Sequence, residues 1–591
     1  VKNCFKALLL LIFWIPVNIY SQAPSWSWHK TIHSQDNEMI TDCEIDSLTG
    51  DILMAGDFDG DLSSYLGDGT STSTDFSTTY GGTDGLVARY DRYGNSIWAF
   101  RIGGSENDRV NSIDIAPSGE IYVTGYISNG ICDFTGTGTE TTDKQFDNTY
   151  GQTIFIAKYN ANGELLWYRI GETPDGNAEG KVIRADRNGV YVSGNGTGSV
   201  TFGNFSMNLT FGGHDFFILK YNPDGTEEYY FSGGTSEDDK HAEIQLDKDF
   251  LYVVVNYRTD QLYFNDSTGY TMFTPSSNSY PDHYQISISS FSRSDVDIKW
   301  YTQITGNSDS RCNGFDIITD SLYLTGSLGS DTEFPKYSNN PVNASDKSDI
   351  FISSMPKFPR TGWVKTIDGT DTLEQGKQIV NIGTEHLIVT GNYSKTLDFW
   401  GDTSITSTDK QDVFMMALTS GGGFQWAKNI GGNNNEYSQG IDGNNYGEIY
   451  TSGYYQENIQ FDAFTSASDN KFNAFLGKLD LNLNEEPLPI ANAGIDQSLC
   501  EDSNTFMNGN SPSADYTASW SYLPDIIWKE NFNDLADGTT QDTSSSSEWS
   551  LIQDASNGYA KVRSHKFEVN APDIKEVIWQ SETIDISGYN N

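Results

Sequence analysis

The segment DFDGDL places Asp57, Asp59 and Asp61 at alternate positions, an oxygen cluster of the kind calcium prefers. Its glycine falls at Gly60, not after the third aspartate, and no glutamate closes the loop as an EF-hand requires. These three residues are the candidate metal site and calcium the one cofactor the motifs suit; a solvated loop after a strand is the competing reading. A second acidic pattern recurs as GGSENDRVNS, GGTSEDDKHAE, TGNSDSRCNG, DGTDTLEQGK and GGNNNEYSQG. Gathered in one place, such Asp, Glu, Asn and Ser side chains could bind cations or sugars, or satisfy backbone groups where elements converge. The backbone role is favoured.

Catalytic patterns are wanting. No HExxH is present, and the seven histidines (29, 33, 214, 241, 283, 386, 565) are scattered along the chain. There is no GxSxG elbow, and no Gly-Lys is followed by Ser or Thr as a phosphate loop needs. GNGTG (194–198) precedes no helix and reads as a turn. Carboxylates are so abundant that no single pair marks an acid–base site. The chain is therefore expected not to be an enzyme.

The charge narrows the partners. Lys and Arg number 36 against 81 Asp and Glu, a net of −45, which repels phosphate backbones and anionic lipid. Nucleic acid is excluded; cations and neutral partners such as glycans are favoured. Lys2 and Lys6 flank the start of an apolar run, ALLLLIFWIPV (Ala7 to Val17), too short for a bilayer span and suited to a signal peptide. Residues 1–21 are expected to be that signal, with cleavage near Ser21 or Gln22. Cys4 precedes the apolar run and so is not placed as a lipid anchor. No later stretch is apolar enough to insert in a membrane, so a secreted or outer-surface protein is expected. The remaining cysteines, Cys43, Cys132, Cys312 and Cys500, show no paired spacing and read as single buried thiols.

The elements that would carry these residues emerge from internal repetition. The run IYVTG (121–125) returns as ILMAG (52–56), VYVSG (190–194), LYVVV (251–255), LYLTG (322–326), LIVTG (387–391) and IYTSG (449–453). Aromatic anchors recur at Trp28, Trp98, Trp167, Tyr229, Trp300, Trp363 and Trp426, spaced 62 to 71 residues apart. YDRYG, YNANG and YNPDG supply Asn, Asp and Gly for a tight turn four residues before the anchor. Period-two alternation makes each repeat one antiparallel four-stranded sheet, which must stack on copies of itself. The last repeat runs into EEPLPIANAG without an anchor strand, whereas SWSWHKTI (25–32) supplies an anchor strand with no hairpin before it. Pairing the two closes a ring and removes an exposed edge. An all-β fold is expected, with a seven-bladed β-propeller over 25–484 closed by its N-terminal strand.

YGGTDGLVARYDRYGNSIWAFRIGG (80–104) and FGGHDFFILKYNPDGT (211–226) resemble the SBBP β-propeller repeat of exported bacterial proteins. The likeness covers most of 25–484 and implies fold and export without fixing one activity. Two departures fall together: Tyr229 stands for Trp, and HYQISISSFSRSDVDIKW (283–300) lacks the turn glycine. Residues 487–523 look like the opening of a PKD- or Ig-like module of Bacteroidetes surface proteins. Residues 524–591 look like a truncated jelly-roll module, so partial β-sandwich modules are expected after the ring, in a piece of a longer protein. The resemblance implies type IX secretion.

A non-enzymatic surface or secreted binding and adhesion protein is the expected function, its ligand an extracellular glycan or protein. The connections 127–152 and 327–349, rich in Thr, Ser, Asn and aromatics, are the expected contact loops. The alternatives are a glycan hydrolase or lyase acting at the channel, and a structural spacer of a surface filament. Nothing in the sequence indicates an oligomeric state.

Overall fold

The computed structural model describes most of residues 23–481, with 63–80, 138–144, 267–270, 275–281, 335–348 and shorter segments outside the description, and six short strands beyond 481. Among the described residues every regular element is a strand. Among those residues no helix is long and apolar enough to cross a membrane.

Seven antiparallel sheets follow one another along residues 26–480, each with a four-stranded core. Blade 1 is Glu38–Ile45, Ile52–Phe58, Asp84–Tyr90 and Ser96–Gly104, running from the innermost strand outward. Blade 7 takes three strands from the end of the ring, Glu436–Gly443, Glu448–Phe461 and Phe464–Asp480. Its fourth strand comes from the beginning, Trp26–Ile32. Trp26 lies opposite Leu479 and Ile32 opposite Ala474. The protein is a seven-bladed β-propeller closed by its N-terminal strand. Buried side chains of neighbouring blades interdigitate, as where Tyr122 and Ile156 of blade 2 meet Val192 and Leu219 of blade 3, so no blade buries both faces alone.

The repeated aromatics and glycines prove to be partners across blades. Trp98 of blade 1 lies on Gly163 in the last turn of blade 2, and Trp167 of blade 2 on Gly225 of blade 3. Trp363 covers Gly422 in the same way, and closure puts Trp28 on Gly94. Trp28, Trp167 and Trp363 also donate Nε1 to a carbonyl of the turn they cover, those of Arg92, Pro223 and Ser420. These turn glycines have φ near +80°, a left-handed conformation that disfavours side chains. The two departures now have one cause. Val296 occupies the turn-glycine place in blade 4 at φ 59°, and Tyr229 of blade 3 packs in the cluster that holds it. With a side chain on the turn, the smaller ring replaces Trp.

The glycine that ends the IYVTG-type runs answers to a different need. A Cβ on Gly125 would sit 1.9 Å from the carbonyl oxygen of Arg109, and one on Gly326 equally close to that of Arg311. In each case the inner strand carries a bulge just beyond, at Asn111 and Asn313, which drives its backbone against the second strand. Blade 4 has Val255 at this place, and its inner strand Ala242–Leu246 pairs without interruption.

Residues Asn484–Asn591 form a separate unit. Among its described residues Lys566–Asn570 pairs with Ala518–Ser519 and Tyr559–Arg563, and Trp549–Leu551 with Gln541–Asp542 and Trp579–Ser581. Most of the two segments read as PKD- or Ig-like and jelly-roll-like lies outside the described residues. So do Cys500 and the whole signal segment 1–21.

Candidate functional site

The seven innermost strands surround a central channel of about 620 Å³. Alternation turns every second side chain of each strand toward this space. One level of the wall takes a residue from the same register position of every blade: Glu44, Asp114, Arg184, Gln245, Asp316, Val380 and Asp442.

The aspartates of this level bind blade to blade. Asp442 of blade 7 accepts the Ile45 N–H of blade 1 at 2.7 Å and the Gly443 N–H at 2.7 Å. Asp316 of blade 5 accepts from Asn381 N of blade 6 at 2.9 Å and from Ile317 N at 2.7 Å. Asp114 of blade 2 accepts from Ala185 N of blade 3 and from Ile115 N. One level up, Asp42 of blade 1 takes the Ser112 hydroxyl at 2.8 Å and the Ile113 N–H at 3.2 Å, both of blade 2, and its own Cys43 N–H at 2.9 Å. The bulge residues repeat the scheme, with Asn111 Nδ2 donating to Gly180 O and Asn313 Nδ2 to Gly376 O. Thr41 Oγ1 donates to Val110 O.

Of the five carboxylates Asp42, Glu44, Asp114, Asp316 and Asp442, Glu44 alone receives no backbone hydrogen. Its carboxyl is pushed well above the ordinary range by burial and by the neighbouring Asp442 and Asp114, against the pull of Arg184. Burial likewise raises Asp442 to about 7 and Asp114 to about 6. Arg184, standing where four other blades present acids, donates to the Ile183 carbonyl of its own strand. Its charge is held more firmly by Asp114, Asp42 and Glu44, which outweigh burial. Lys377 is the bulge residue of blade 6 and lines the channel; burial lowers its pKa and no carboxylate opposes the shift. Glu44, Arg184 and Lys377 thus stand in the channel beside four aspartates engaged by the backbone, with Glu243 a further acid of its lining.

Of the sequence-predicted metal triad, Asp57 and Asp59 are described. Asp57, 2% exposed, pairs with Arg109 of blade 2 at 2.7 Å. Asp59 follows at the end of the strand, its N–H on Asn37 O, and Asp61 lies outside the described residues. Among the described residues no group of three or more His, Cys, Asp or Glu is placed to hold a metal.

The recurrent acidic segments lead into the channel wall, where Ser112, Glu243, Asn313, Lys377 and Gln439 at their C-terminal ends line it, while the aspartates earlier in them turn to the backbone. Asp108 accepts Gly104 N at 2.6 Å and Ser128 N at 2.7 Å. Asp239 takes Thr235 N at 2.5 Å and Thr235 Oγ1 at 3.0 Å. Both cap the turn between blades from inside.

The connections expected to be contact loops are also structural where described. Gly130–Phe134 and Gln145–Asn148 form a hairpin that adds two strands to the edge of blade 1. Leu262–Asp266 and Thr271–Thr274 do the same to blade 3. Single bridges, Glu172 to Thr201, Thr305 to Glu333, Gly369 to Leu397 and Gly431 to Gln460, repeat the contact at four other junctions. Cys43, Cys132 and Cys312 are free buried thiols, as their isolation in sequence suggested.

Sequence reasoning missed Glu44, Arg184 and Lys377. The available signal for Glu44 and Arg184 was the position that pairs with the second residue of each IYVTG-type run, legible only after the bulge is counted, and for Lys377 the bulge itself.

No family model matches the chain, and no curated protein matches it. Among solved structures, the crystal structure of Sqt1 from Chaetomium thermophilum aligns over 76% of this chain and 87% of its own at 9% identity and a TM-score of 0.27. A likeness that slight carries no argument beyond the topology already described.

Proposed function

We propose that this chain is a non-enzymatic exported binding protein of the SBBP propeller type, from a Bacteroidetes cell surface or its surroundings. Its ring takes a polar extracellular ligand, a glycan or a protein segment, at the channel. The observation that supports this reading is the residue of unspent groups, Glu44, Arg184 and Lys377, on three separate blades around one space. Separated hydrogen-bonding groups of both signs suit recognition of a polyhydroxylated or zwitterionic surface. Glycoside cleavage by the usual two-carboxylate route needs a second free acid. Asp42, Asp114, Asp316 and Asp442 have both oxygens engaged, so a hydrolase would have to pair Glu44 with Glu243 of blade 4. Export by the type IX route and adhesion modules after residue 487 belong to the same proposal.

The test is an array of glycans and extracellular proteins probed with the full chain, with reducing ends assayed on every glycan bound. Binding without release, weakened in K377M and E44Q, is expected. Release of reducing ends would replace the binding reading with the enzymatic one, and an array without binding would favour the spacer.

A further inference from the structure

Away from the channel, the junction of blades 6 and 7 encloses two carboxyl groups that face each other. Asp412 lies in Thr403–Thr419 and Glu436 opens Glu436–Gly443; both are 0% exposed. Asp412 Oδ2 accepts from Asn429 Nδ2 at 2.8 Å, Thr408 N at 3.0 Å and Thr408 Oγ1 at 3.4 Å. Asp412 Oδ1 and both carboxyl oxygens of Glu436 lack a well-formed hydrogen bond. The groups that face Glu436 are the Asp412 carboxyl and the Gly432 amide, and no cation acts on it. Beside them Asn392, also 0% exposed, donates Nδ2 to the main-chain oxygen of Glu436 at 2.9 Å. Its Oδ1 has no partner either.

The surrounding backbone is shaped to these oxygens. A Cβ on Gly431 would lie 2.0 Å from Asp412 Oδ2, and one on Gly432 would lie 2.7 Å from Glu436 Oε1 and 1.9 Å from Asn458 O. Two of the corresponding acids behave differently. Asp108 and Asp239 turn both oxygens onto the turn and its neighbours. Glu436, one methylene longer, leaves that role and meets Asp412 instead. Two adjacent buried carboxylates cannot both be ionised unless a positive charge joins them. Uncovered carboxylate oxygens, with amide and carbonyl oxygens beside them, form the donor set of a hard divalent cation.

We propose that Asp412 and Glu436 hold a structural divalent cation of the calcium type between blades 6 and 7. The site is independent of any ligand at the channel and of the DFDGDL segment. Bound there, the ion ties the last two blades together next to the strand that closes the ring.

The experiment uses the full chain stripped with EDTA and calcium alone as the probe. Calcium at a hundredfold excess over its dissociation constant should raise Tm by about 3 °C over EDTA, with a matching isotherm by titration calorimetry. That rise should vanish in E436Q and D412N and persist in D59N. An unaltered Tm and a flat isotherm in the wild type would overturn the proposal in favour of a proton shared by the two acids. So would a full calcium response in E436Q. Terbium emission excited through the protein's aromatics, with Tyr437 adjacent to the site, tests the unaltered chain should both variants fail to fold. Emission displaced by calcium is expected, and its absence contradicts the site.

Discussion

At the scale of single residues, the chemistry of an acid here is decided by the blade next to it. Asp442, Asp316 and Asp114 look like catalytic carboxylates by position, inside a channel with raised pKa values, yet each ends on two backbone N–H groups. Removing such an acceptor strands buried donors, so D442A should lose about 1–3 kcal/mol in urea unfolding. E44Q, which removes a charge repelled by Asp442 and Asp114, should be neutral or stabilising. Equal losses in the two variants would contradict the division between spent and unspent acids. DFDGDL drew attention in the sequence because its aspartates are close together in the chain. Asp57 instead answers to Arg109, 52 residues away, and no local spacing could show that. The favoured backbone role for the acidic segments was legible at Asp108 and Asp239, since a Gly-Gly turn followed by an acid is a self-capping pattern.

At the scale of elements, the repeat was readable because each motif residue serves a contact that recurs at most of the described junctions. Trp over a turn glycine, and glycine opposite a bulge, are required by geometry and so return with the period of the blade. Their partners were hidden, because the sequence displays the Trp and the glycine of one repeat side by side while the contact joins successive repeats. The joint loss at Tyr229 and Val296 was the visible clue. Restoring both should reveal the coupling. In a double-mutant cycle Y229W and V296G together should exceed the sum of the single changes by roughly 0.5–3 kcal/mol in stability. Additive effects would mean that the two positions do not answer to each other. The hairpin 130–148 lies within a connection read as a contact loop, because polar, Thr- and Asn-rich composition describes an edge strand as well as a loop.

At the scale of the whole molecule, charge and closure govern stability. Burial holds Asp114 near 6, Asp215 and Asp442 near 7 and Asp239 near 8, all above the unfolded value of about 4. The folded chain therefore binds more protons than the unfolded chain between those limits. The stability these groups contribute is complete below about pH 4 and is lost as pH rises toward 8. Glu120, Asp247 and Glu448, lowered by hydrogen bonds with Ser118, Lys357 and Lys478 that outweigh burial, act oppositely but only below the ordinary carboxylate range. The net charge of −45 adds repulsion in the same direction as the raised acids. Melting temperature should accordingly fall from pH 5 to pH 8.5; a rise across that interval would contradict the account.

Closure was inferred from a mismatch between the two ends of the repeat array, and it appears as the pairing of Trp26–Ile32 with Phe464–Asp480. The most direct measurement is thermal unfolding of the chain lacking residues 23–32 beside the intact chain. An open blade 7 exposes the edge of Phe464–Asp480 and uncovers Gly94 where Trp28 lay, so Tm should drop sharply and aggregation should set in at lower temperature. An unchanged melting profile would mean that the ring does not depend on its N-terminal strand.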